Sequence, residues 1–175
     1  MSDKAILILS SVAAKNVDAF NKSGKHATVA VENGNVVVIG DKSTTAGEKD
    51  VFVCTTPATA TLATDIFYMV YEAPVPVVSS KYKGITDDPR EFSIPAGDIF
   101  NMYKPQVGDE IILSDDGIGG TKSGNTYIAP ANATCELTWT NNISSVSLGY
   151  KLEATTFISV GNERVTAYKF TCVKA

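Results

Sequence analysis

Apolar and β-branched residues come in short runs along this chain, separated by turn residues, and almost nowhere at helical spacing. The sharpest local signal is Thr28–Glu32, then Asn33-Gly34, then Asn35–Gly40, two Val-rich runs around Asn-Gly. That dipeptide favours a type I′ turn, which needs positive φ at both central residues, so the pattern predicts a hairpin. Further strands are predicted at Val51–Thr55, Asp65–Glu72, Glu91–Ile94, Ile99–Tyr103, Glu110–Leu113, Thr126–Ala129, Cys135–Thr140, Ser145–Leu148, Thr155–Val160 and Val165–Val173. In the last, Tyr168, Phe170 and Cys172 alternate with Ala167, Lys169 and Thr171, the signature of one buried and one wet face. Helix is limited to two turns at Lys15–Lys22, stopped by Gly24, and a weak Ala58–Ala63. The expected fold is all-β: a barrel or sandwich body of short antiparallel strands over residues 51–175, with an N-terminal β-hairpin arm over residues 1–50. The polar Ser43–Asp50 loop marks the soft boundary, and the arm is either separate or part of the same domain. Tyr168, Phe170, Phe157, Trp139 and Ile112 are the predicted core.

Prolines fall at expected turns and edges. Pro74 and Pro76 frame an extended Ala73–Val78 segment, and Pro95-Ala96-Gly97 makes a tight turn. At 175 residues, 44% hydrophobic and 19% charged, the chain can bury a core without a disulfide or metal. Its net charge of −4 speaks against nucleic acid, since phosphate contacts need clustered cations. The densest basic group, Lys81, Lys83 and Arg90, encloses Asp87 and Asp88. No stretch approaches the roughly 20 apolar residues of a membrane span. Lys4 followed by Ala5–Leu9 is a miniature of a signal peptide, too short in its apolar part, and reads as a strand. On that reading the sequons at Asn21, Asn132 and Asn142 are chance. Cys54, Cys135 and Cys172 lack metal or redox spacing and read as free buried thiols in a reducing compartment.

Candidate chemistry is sparse. Gly117–Ser123 imitates a phosphate loop, but Thr121 stands where glycine should precede Lys122, the spacing is wrong, and a strand follows where a helix N-terminus should hold the phosphates. Asp109, Glu110, Asp115 and Asp116 offer oxygens for a hard cation without EF-hand spacing, and serve equally as solvated turn residues. His26 is the single histidine, placed in what reads as an exposed turn, so nucleophile–base pairs and zinc sites have no partner for it. Paired carboxylates stay open, because their separation in space is not legible here. Trp139 reads as core, with sugar stacking as its alternative. No catalytic residue, cofactor or metal is assigned.

The stretch Phe100–Leu113 (FNMYKPQVGDEIIL) resembles small structural proteins of tailed-bacteriophage head modules, the capsid decoration or auxiliary head proteins. Tyr82–Arg90 with its Asp-Pro-Arg, Lys151-Leu152-Glu153, Phe157–Gly161 and Arg164–Phe170 support the likeness, which spans roughly residues 65–173. These are packing and turn patterns. The resemblance implies a non-enzymatic virion component made in the bacterial cytoplasm, bound to the major capsid protein on the capsid exterior, often as a trimer, without nucleic acid or membrane. The alternative function is a carbohydrate- or host-surface-binding module of a phage fibre. Leu7, Ile8 and Leu9, and Val36, Val37, Val38 and Ile39, are the candidate capsid-contact strands, short and apolar. Both sets can equally be interior strands of the body.

Overall fold

The structure, a computed structural model, describes residues 3–73 and 88–175. The segment expected to be extended around Pro74 and Pro76, together with Lys81, Lys83 and the stretch from Tyr82 to Asp87, lies outside those residues. The all-β expectation holds. Twelve strands are described: β1 (Leu7–Ser11), β2 (Asn21–His26), β3 (Val36–Lys42), β4 (Val51–Thr55), β5 (Phe67–Val70), β6 (Ile99–Tyr103), β7 (Glu110–Ser114), β8 (Ile118–Gly119), β9 (Tyr127–Pro130), β10 (Leu137–Thr140), β11 (Gly149–Val160) and β12 (Glu163–Lys174). They build a seven-stranded sheet, ordered β1-β7-β12-β11-β9-β10-β8, packed on a closed five-stranded barrel, β2-β4-β3-β5-β6. Pairing is mostly antiparallel, but β2–β4 and β8–β10 are parallel, and β11 and β12 are each 12 residues long rather than short.

The unbroken apolar runs of the sequence acquire a reason here. Staves β3 and β5, and β6 at its Tyr103 end, are covered on both sides, so both parities there must be apolar, whereas Ile99 and Asn101 of β6 are exposed. Val37, Tyr68, Val70, Phe100 and Met102 fill the barrel with Cys54 of β4. Val36, Phe67, Met69 and Tyr103, the alternate positions, face the sheet and meet Ile111, Leu113, Ile128, Leu137, Trp139, Tyr150, Tyr168 and Phe170. Trp139 stands edge-on to Tyr168 with centroids 5.2 Å apart and tilts against Phe170 at 5.5 Å. Such aromatic pairs add about 0.5–1.5 kcal/mol each beyond the area they bury. Gly24 is required inside the barrel, where a Cβ would lie 2.8 Å from Phe100 Cε2 and 2.9 Å from Cys54 Sγ and Met102 Sδ.

The Asn33-Gly34 turn forms, but not as a hairpin. The Asn35 N–H donates to Glu32 O at 3.1 Å, while only Gly34 has positive φ, the type II pattern rather than I′. The two arms then diverge. Val31 bridges to Ile94, whereas β3 takes β4 and β5 as neighbours. A two-stranded hairpin could cover one face of the Val run, and two cores cover both. Residues 1–50 consequently supply a sheet strand, β1, and two barrel staves, β2 and β3. The Ser43–Asp50 loop joins the adjacent staves β3 and β4, held down by Lys25 Nζ and Ser43 Oγ, each 2.6 Å from Glu48 Oε2.

Other local expectations shift. Lys15–Lys22 holds no α-helix; two 3-10 turns, Ala13–Lys15 and Asp18–Phe20, precede β2. Glu91–Ile94 is the end of a 3-10 turn plus the single bridge at Ile94. Ser145–Leu148 is a loop whose Val146 and Leu148 are nonetheless buried, with Ser147 N–H donating to Leu62 O at 2.8 Å. Tyr168, Phe170 and Trp139 are core residues as expected. Ile112 is half-buried on the sheet's outer face, because its neighbours Ile111 and Leu113 take the inward parity. Phe157 is 59% exposed. Strand β9 pairs with β11 only at Tyr150 and Lys151, and β7 reaches only Ala167 of β12. Beyond those points the β11–β12 ribbon overhangs, and Phe157 sits on it uncovered.

The contrast is measurable. Phe170→Ala should cost about 3–5 kcal/mol in urea unfolding, and Phe157→Ala should stay within about 0.5 kcal/mol. A large loss at Phe157 would show that the inner face of the ribbon is covered.

Candidate functional site

The one histidine and the three cysteines lie inside. His26 ends β2 and is buried, not in an exposed turn, because β2 alternates and residues 24 and 26 face the barrel interior. The Val29 N–H donates to His26 Nδ1 at 3.1 Å, which leaves the proton on Nε2, 3.1 Å from Thr56 Oγ1. The imidazole is thereby held neutral, and burial pushes its pKa below the ordinary 6.5. Cys135 Sγ lies 3.8 Å from the same hydroxyl. All three cysteines are free and buried. Burial raises the Cys135 thiol, pushes Cys54 up to about 11, and pushes Cys172 up to about 12. A thiol in that state is no nucleophile near neutrality.

The acidic residues do not converge either. Asp109 is buried, with Oδ1 accepting from Ala13 N–H and Oδ2 from Gln106 N–H, both at 2.8 Å, so it clips the N-terminal segment to the turn before β7. Among the described residues no group of three or more His, Cys, Asp or Glu could hold a metal. Residues 117–123 run from a 3-10 turn through the two-residue β8 into a loop, with no helix to receive a phosphate. Among the described residues no helix is long and apolar enough to cross a membrane.

Two open clefts carry polar side chains, the first predominantly and the second among apolar ones. One, of about 460 Å³, is lined by Asp18, Lys22, Lys42, Asp50, Phe52 and Asn101, with Lys42 Nζ 2.9 Å from Asp50. The other, of about 320 Å³, runs past Trp139, Asn132, Thr138 and Asn142. Trp139 itself is buried, its ring engaged by Tyr168 and Phe170, so no indole face is free to stack on a sugar.

What the surface does offer is apolar side chains on paired strands, at separate places: Ile8 on β1, Ile66 before β5, Ile99 on β6 and Phe157 on the ribbon. The ribbon's tip is tethered, because Arg90 pairs with both Asp88 and Glu163. Of the two strands expected as contacts, Val36–Ile39 has both edges occupied and is interior. Leu7–Leu9 is an edge: among the described residues β1 has one neighbour, β7. Ser114 N–H donates to Ile6 O at 3.0 Å, so in the antiparallel alternation residues 6 and 8 turn their backbone groups to β7 and residues 5, 7 and 9 turn theirs outward. Two of those outward groups are occupied. Glu32 Oε2 accepts from Ala5 N–H at 3.0 Å, and Lys15 Nζ donates to Leu9 O at 2.5 Å. Neither Lys15 nor Glu32 stood out in the sequence. A lysine just past a short apolar strand, the usual guard of a sheet edge, was the legible signal.

No family model, curated protein or solved structure matches the chain.

Two outcomes follow from the buried groups. With His26 lowered in the fold, the unfolded chain takes up its proton first as pH drops through 6.5, so the stability His26 confers is complete above that value and is lost below it. Thermal unfolding of the wild type against His26→Gln should converge as the solution is acidified. A wild-type advantage that grows on acidification would mean the ring is charged in the fold. The three thiols should also resist a disulfide reagent in the folded protein and react when it is unfolded.

Proposed function

We propose that this chain is a virion structural protein that attaches to the outside of a tailed-phage capsid and stabilises the head. The observation that carries this reading is the distribution of its chemistry: the histidine and the three thiols buried in the two cores, and large apolar side chains carried outward on or beside paired strands at several separate places. Such a surface suits multivalent attachment, in which weak contacts to neighbouring capsid subunits combine through effective concentration. The sequence likeness over Phe100–Leu113 supports it, and so does the acidic balance, which keeps the protein off the enclosed DNA. Phe157 is the leading contact, an exposed aromatic on an overhanging ribbon, the type of residue that anchors interfaces. Leu7, Ile8 and Leu9 lie on the β1 edge, which among the described residues has β7 alone as neighbour, and head attachment through Phe157 leaves that edge unused. Val36–Ile39 is withdrawn. A fibre-borne, carbohydrate-binding role has one feature in its favour, the Asn- and Thr-lined groove beside Trp139, and lacks a free indole face.

Bare heads of the phage that encodes the chain should cosediment with the purified protein. Phe157→Ser should reduce occupancy about tenfold, which is about 1.4 kcal/mol of contact, with unchanged unfolding temperature. Failure to bind heads, with selective binding on a glycan array, would replace this reading by the fibre module.

A further inference from the structure

The open edge of β1 has a self-complementary layout. Its outward groups run, in order, Ala5 N–H held by Glu32, Leu7 N–H and C=O and Leu9 N–H with no strand against them among the described residues, and Leu9 C=O held by Lys15. The Glu32 carboxylate, which also takes Lys4 Nζ on its Oε1 at 2.8 Å, therefore stands at one end and Lys15 at the other. The side chains between them are partly exposed on both faces: Leu7 and Leu9 toward the core side, Ile8, 42% exposed, on the outer face. There Ile8 adjoins Ile112, which packs in a small outer cluster with Ile6, Ile158, Val160, Val165 and Ala167.

We infer that β1 pairs antiparallel with β1 of a second copy, across a two-fold axis at Ile8. This goes beyond the capsid reading and stands on the edge alone. In that register Leu7 opposes Leu9 of the second copy, and each such pair exchanges two backbone hydrogen bonds, the spacing an antiparallel ladder requires. Four bonds form around the axis. Ile8 meets its own counterpart, which joins the two outer apolar clusters into one continuous strip. Leu9 C=O must be released for this, so Lys15 has to move. It has somewhere to go. In the two-fold arrangement Ala5 of the second copy lies opposite Ser11, so that copy's Glu32 carboxylate comes within about one residue step, roughly 3.3 Å along the strand, of Ser10. Lys15 already reaches Ser10 O at 3.5 Å. Each Lys15 thus exchanges a carbonyl for a place beside the other copy's Lys4–Glu32 pair, twice per dimer, and a monomer guard becomes a dimer contact. The irregular register between Leu9 and Ser11 limits the pairing to this short stretch and prevents open-ended sheet growth. The symmetry is isologous, in contrast to the three-fold association that the family resemblance implies.

Sedimentation equilibrium of the full chain tests this. The wild type should give the mass of two chains at micromolar concentration, with the association weakened by high salt. Ile8→Lys and Lys15→Glu should each weaken association at least tenfold while leaving the unfolding temperature of the monomer unchanged, because both side chains are exposed. Adding Glu32→Lys to Lys15→Glu should recover part of the loss. A wild type that remains monomeric, or an oligomer indifferent to Ile8→Lys and Lys15→Glu, would overturn the assignment. Loss of head binding by these variants in a wild type that is monomeric would do the same and give the β1 edge to the capsid.

Discussion

The structure depends on the two-sided burial of three barrel staves. Strands β3 and β5 direct one parity of side chains into the barrel and the other onto the sheet, and β6 joins them through Phe100 and Met102 inside and Tyr103 on the sheet side. The barrel and the seven-stranded sheet are therefore not separable layers, since Met69 cannot leave the sheet without Val70 leaving the barrel. Each fully buried side chain of this kind is worth on the order of 1.5–3 kcal/mol in transfer from water. The strands that carry two such faces concentrate the stabilisation in Val36–Ile39 and Phe67–Val70, with Phe100, Met102 and Tyr103 of β6 beside them.

That constraint decides where chemistry can sit. The barrel interior is full of Phe100, Met102, Tyr68 and Cys54, and it admits His26 only as a neutral ring with both nitrogens engaged. A histidine and thiols in such a setting stabilise the fold by being hydrogen-bonded and dry, and the same desolvation removes them from acid–base or nucleophilic work near neutral pH. The capacity for interaction is displaced to the periphery of the sheet, to an edge strand at one end of the order and to a ribbon that outruns its neighbours.

Edge and ribbon are handled differently. The edge of β1 is guarded by Lys15, Glu32 and an irregular register, three devices that limit indiscriminate strand addition. Among the described residues the ribbon has no strand beside it over its outer half, and it is held by an ionic tether from Arg90 to Glu163. The edge strand offers only a short stretch of backbone, and the ribbon, in the middle of the strand order, presents an exposed aromatic side chain beyond the ends of β7 and β9.

Much of this was legible in residue order, and the division has a physical basis. β-branched runs, turn residues and the Tyr168–Phe170–Cys172 alternation are local properties, so they located Val51–Thr55 and Ile99–Tyr103 to the residue and identified Trp139, Tyr168 and Phe170 as core. Free buried cysteines followed from their count and spacing. Residue order could not say which strands would meet. Ile6 bonds to Ser114 across 108 positions, and no local pattern reports such a partner. Pairing at that range turned Val36–Ile39 into an interior stave in place of a hairpin arm, because only a second core could cover its second face. It left Phe157 in solvent because β7 and β9 stop short of it, and it closed the barrel over His26. The sequence by itself determined which residues form strands and which faces are apolar. The tertiary structure alone decided which of those faces is covered, because coverage depends on the strand that arrives from elsewhere in the chain.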